Sequence, residues 1–73
     1  MKKVKFTQSL INDSIIIRSD SFIGWYKIHE CVGDRNVFGV QSSDGIDTEA
    51  NGVFFPTIER AIQYIKKMII NNY

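Results

Sequence analysis

His29 and Cys31 are the pair in this 73-residue chain with the best spacing for covalent chemistry. On an extended strand they would share a face, with about 7 Å between their Cα atoms. A thiolate–imidazolium pair can work at that spacing. No third group to orient the histidine and no oxyanion donor can be assigned, so the expectation is a structural cysteine beside a strand-surface histidine. No residue is expected to be catalytic.

Asp44, Asp47 and Glu49 form a second cluster. Their composition is that of a calcium loop, but the run DGIDTEANGVFF lacks the glutamate that should close the twelve-residue ligand pattern. No HExxH and no second histidine are present, and a single cysteine excludes both an internal disulfide and a four-cysteine zinc site. Neither GxxxxGK[ST] nor GxGxxG occurs, so no phosphate-cradling loop is expected. No cofactor or metal is expected. The three carboxylates are instead read as an acidic loop, available to a basic protein surface.

Trp25, Lys27 and His29 form the third constellation. Alternation puts all three on one side of a strand. Rings stack on bases and cations meet phosphates, so an open sheet face of this composition suits nucleic acid, with Lys3 and Lys5 as added cations. The same residues suit a protein partner.

The elements that position these residues follow from periodicity. Residues 2–7 alternate, with Val4 and Phe6 on one side and Lys3 and Lys5 on the other, which predicts a half-buried strand. Asn12 and Asp13 mark a turn within residues 8–14, and residues 14–19 (SIIIRS) read as a second strand hairpinned to the first. Residues 22–32 read as the longest strand. Phe22, Gly24, Tyr26, Ile28 and Glu30 take one phase; Ile23, Trp25, Lys27, His29 and Cys31 take the other. Residues 33–36 make a hairpin loop, and residues 37–41 return with Phe38 and Val40 set against Tyr26 and Ile28. Residues 42–52 are the acidic loop, and residues 53–55 a short edge strand or extended lead-in. Pro56 ends any inner ladder, Thr57 is the N-cap, and Glu59 lies in the first turn of a helix. Ile58, Ala61, Ile62, Ile65, Met68 and Ile69 form its apolar stripe, with Asn71 and Asn72 as its stop.

The sum is one α+β domain over residues 1–73: a single small antiparallel sheet of three to five strands with one C-terminal helix packed on one face. A lone helix about 20 Å long covers only one face of such a sheet, so the other face and any free edge must be solvated or used.

The run GVFFPTIERAIQYI, after a strand–hairpin–strand order, resembles the small three-stranded-sheet-plus-helix domains of phage integrase arms. That resemblance implies DNA binding through the sheet. The charge departs from it: residues 30–49 hold Glu30, Asp34, Asp44, Asp47 and Glu49 against Arg35 alone, and the formal net charge is only +1.

Twelve Ile against two Ala and one Pro indicate an AT-rich gene, as in low-GC bacteria and their phages and mobile elements. Lys2, Lys3 and Lys5 mimic the start of a secretion signal, but no apolar stretch of signal length follows. No run is long enough to cross a membrane. The expectation is a cytoplasmic, non-enzymatic binding protein, monomer or homodimer, of the phage or mobile-element accessory or inhibitor type. It would act on a host protein, with Trp25, Lys27, His29, Asp44, Asp47 and Glu49 as partner-binding residues. The alternative is a nucleic-acid-binding module using the open sheet face.

Overall fold

Asn12 and Asp13 both adopt positive φ, 49° and 63°, the left-handed pair that a two-residue type I′ hairpin turn requires. Their short polar side chains tolerate it. The turn folds strand β1 (Phe6–Ile11) directly onto β2 (Ser14–Ser19), with Ile11 opposite Ser14 and Phe6 opposite Ser19. So tight a turn needs only two residues, and residues 8–11, expected in the turn, join the strand instead. The computed structural model describes residues 4–31 and 33–72. Lys2 and Lys3, at the expected start of the first strand, and Val32, at the expected end of the third, lie outside the described residues.

Strands β3 (Tyr26–Cys31) and β4 (Asp34–Ser42) complete a four-stranded antiparallel sheet in the order β1-β2-β3-β4. Helix α1 (Ile58–Asn72) packs chiefly over β3 and β4. The domain is thus α+β, with one antiparallel sheet and a single C-terminal helix. Ala61, Ile65 and Ile69 face Ile17, Tyr26, Ile28 and Val40 to form the buried core, and Phe22 joins them. Thr57 caps the helix as its position predicts: the Arg60 amide donates to Thr57 Oγ1 at 3.1 Å.

Two departures from simple alternation matter for the open face. Gly24 has φ 150°, and the chain before it turns so that the Phe22 ring packs on Tyr26 with centroids 5.2 Å apart. The regular strand therefore begins at Tyr26 rather than at residue 22. At its other end, the register shifts between Glu30 and Cys31. Cys31, just beyond that shift, is buried. Val40 lies opposite Ile28, as expected, whereas Phe38 meets Glu30 and Tyr26 meets Ser42.

The outer edge of β4 is covered by the chain that follows it. Thr48 is buried; its amide donates to the Val40 carbonyl at 2.9 Å, and its hydroxyl accepts the Val40 amide at 2.9 Å. Phe38 and Phe55 exchange backbone hydrogen bonds of 2.8 and 2.9 Å. The Phe55 ring then meets Tyr64 of the helix at 5.1 Å, while Phe54 points outward and is exposed. Phe54 and Phe55 thus take opposite directions, as an extended lead-in requires.

Candidate functional site

Direct cross-strand partners in an antiparallel sheet share a face. Ile28 and Val40 face the helix, so Lys27, opposite both Ile16 and Gln41, lies on the face that the helix leaves uncovered. His29, opposite Gly39, is on the same side. Trp25 continues the ladder by one more pair: its amide donates to Ser43 Oγ at 3.0 Å, and the Ser43 amide donates to the Trp25 carbonyl at 3.0 Å. The structure therefore brings Trp25, Lys27 and His29 onto one open face. β2 and β1 add Ile16, Arg18 and Ile11.

Two of the three loop carboxylates reach this face as well. Asp47 bridges to Gln41, whose side-chain amide donates to Asp47 Oδ2 at 3.5 Å. Glu49 Oε1 lies 3.7 Å from His29 Nδ1. Asp44 does not join them: it sits exposed in the turn after β4 and accepts from the Ser42 hydroxyl. The acidic loop is a structured segment. Asp47 also accepts the Ala50 amide at 3.2 Å, and Ser42 Oγ accepts the Ile46 amide at 3.0 Å.

The open face is consequently sorted by charge. One shallow hollow of about 230 Å³ is lined by Ile11, Ile16, Arg18, Trp25 and Lys27, apolar and cationic. A second, of about 340 Å³, is lined by His29, Gln41, Asp47, Glu49 and Ala50. Lys27 and His29, two residues apart on β3, mark the boundary between them.

The His29 ring is held by the backbone of the next residue. Nδ1 lies 3.0 Å from the Glu30 carbonyl oxygen, which can only accept, so Nδ1 carries a proton there. Nε2 is buried without a hydrogen-bond partner among the described residues. The ring lies across Gly39, where a Cβ would stand 3.1 Å from its Cε1 and Nε2 and 3.2 Å from Glu49 Cβ. Gly39→Val is expected to push the imidazole and Glu49 off the strand at a cost of about 1–3 kcal/mol. Amide chemical shifts should then change around residues 29, 39 and 49, with a lower Tm; shifts confined to residue 39 would contradict this packing.

A register shift falls between His29 and Cys31, and Cys31 is buried. Among the described residues, no three His, Cys, Asp or Glu side chains converge as a metal-binding group. No described helix is long and apolar enough to cross a membrane. Arg18, Ile16 and Gln41 are members of the face that sequence reading passed over. Gln41 carried a usable signal, two residues beyond Gly39 on the returning strand. Arg18 followed three successive isoleucines that hide the strand's phase.

No protein-family profile, curated protein or solved structure matches the chain.

Proposed function

We propose that this chain is a non-enzymatic binding protein that docks a partner protein on its open sheet face. The observation that carries this reading is the sorting of charge on that face. An apolar, cationic half (Ile16, Arg18, Trp25, Lys27) adjoins a half holding Asp47 and Glu49. A protein surface can present charges of both signs at matching positions, and such complementarity sets register and excludes wrong partners. Trp and Arg are also the side chains most often found at the energetic centre of protein interfaces. With the AT-rich composition, this supports a cytoplasmic accessory or inhibitor protein of a phage or mobile element, acting stoichiometrically on a host protein.

Nucleic acid is the second reading, favoured by Trp25, Arg18 and Lys27 lining one hollow. Against it, Asp47 and Glu49 would repel phosphates on a strand crossing the same face. Emission from Trp25, the sole tryptophan, distinguishes the two. Titration with single- and double-stranded DNA and RNA, at low and near-physiological salt, should leave the emission without a saturable change. Saturable quenching that weakens linearly with the logarithm of salt would overturn the protein-docking reading in favour of nucleic acid.

A further inference from the structure

The two edges of the sheet differ. The edge of β4 is covered by Thr48 and Phe55. The edge of β1 has no covering segment among the described residues, and Phe6–Ile11 (FTQSLI) contains no charge, no proline and no bulge. These are the features with which natural edge strands block pairing.

The turn determines which backbone groups that edge presents. In a two-residue hairpin the residues flanking the turn, Ile11 and Ser14, form the first hydrogen-bonded pair, and pairs then alternate along the ladder. The Asp20 amide donating to the Lys5 carbonyl at 3.2 Å shows the same phase at the far end. Lys5, Thr7, Ser9 and Ile11 therefore direct their amides and carbonyls inward to β2. Phe6, Gln8 and Leu10 direct theirs outward, with nothing among the described residues to meet them. Their side chains lie on the helix-side face, where Leu10 is 74% exposed.

We propose that the β1 edge pairs with the β1 edge of a second copy of this chain, antiparallel about a two-fold axis through Gln8, giving a continuous eight-stranded sheet. This register sets Gln8 opposite its own counterpart and Phe6 opposite the other copy's Leu10. All three are outward-directed residues, so every pair is a hydrogen-bonded one. Each Leu10 then packs against a Phe6 ring that already carries the Lys66 ammonium 5.2 Å from its centroid. On the open face, Thr7 meets Ser9 of the other copy, a polar pair suited to cross-strand hydrogen bonding. Because α1 sits over β3 and β4, both helices fit on the same side of the joined sheet. A second copy supplies the Phe6–Leu10 and Thr7–Ser9 side-chain pairs twice over, by symmetry.

Sedimentation equilibrium over a wide concentration range tests the assembly. The 8.4 kDa chain should approach twice its mass as concentration rises, and Gln8→Lys or Leu10→Lys should hold it at the monomer mass with unchanged circular dichroism. Gln8→Pro gives a second block that costs no internal hydrogen bond, because the amide it removes points outward. The register has its own test in a Cys31→Ala background. Gln8→Cys should form a disulfide-linked dimer on mild oxidation, since its Cα would face its counterpart at about 5.5 Å; Ser9→Cys should not. A wild type that stays monomeric at millimolar concentration would overturn the proposal, as would a dimer that survives all three blocking substitutions. Equal cross-linking from positions 8 and 9 would overturn the register. None of these readouts depends on the open face binding anything.

Discussion

Ile65→Ala is expected to leave much of the protein unfolded at 25 °C. Ile65 is fully buried midway along the helix stripe. It belongs to the cluster that joins α1 to Ile17, Tyr26, Ile28 and Val40. Truncating a buried isoleucine to alanine costs about 2–5 kcal/mol, from lost transfer energy and the cavity left behind. A single core in a domain of this size rarely supplies more than about 3–5 kcal/mol of net stability. Subtracting the first from the second leaves little or nothing. Ile70→Ala, one residue beyond the last buried isoleucine and exposed, should change stability by about 0.5 kcal/mol or less. Urea denaturation followed by circular dichroism checks both. Equal midpoints for the two variants would contradict the placement of the helix on the sheet.

Gly24→Ala is expected to cost about 1–3 kcal/mol and to disturb Trp25. With φ at 150°, the backbone at Gly24 lies where residues with a side chain rarely sit. A Cβ there would overlap Ser43 Oγ and stand 3.0 Å from the Phe22 ring. Ser43 Oγ is also the acceptor for the Trp25 amide. The alanine must therefore displace the hydroxyl that ties Trp25 to the end of β4. Adding Ser43→Ala removes the overlapping atom, so the double variant should lose less than the two single losses combined. A double-mutant cycle measured by denaturant unfolding tests this. Strict additivity would show that Gly24 and Ser43 do not interact as the geometry requires.

What was legible in the sequence was local. Thr57, Glu59 and the isoleucine stripe specify the helix because its cap and period lie within one segment. The phase of Trp25, Lys27 and His29 was readable because Tyr26 and Ile28 alternate cleanly with them. The fold class followed from these two elements and the hairpin signals. The extent of β1 was hidden because Gln8, a polar residue, holds a helix-side position, which broke the apparent alternation before Leu10. Cys31 is buried, as a structural cysteine should be, but the register shift beside it leaves no mark in residue type. The meeting of Asp47 and Glu49 with the open face was not legible at all. It depends on Thr48 closing onto Val40 across the edge of β4, and that long-range pairing has no periodic signature. Read as a separate acidic loop, those carboxylates described a second surface; placed beside His29 and Gln41, they make one surface of two charges.

The claim that this surface docks a protein is tested most directly by comparative retention. Tagged wild-type chain, a Trp25→Ala/Lys27→Glu variant and a Lys67→Glu control on the exposed side of the helix would be immobilised after circular dichroism shows equal folding. Each is then exposed to lysates of low-GC bacteria, and the retained proteins are compared by mass spectrometry. The predicted result is a protein held in stoichiometric amount by the wild type and the helix control and lost from the open-face variant. Equal retention by all three chains would contradict the assignment of the open face as the docking surface.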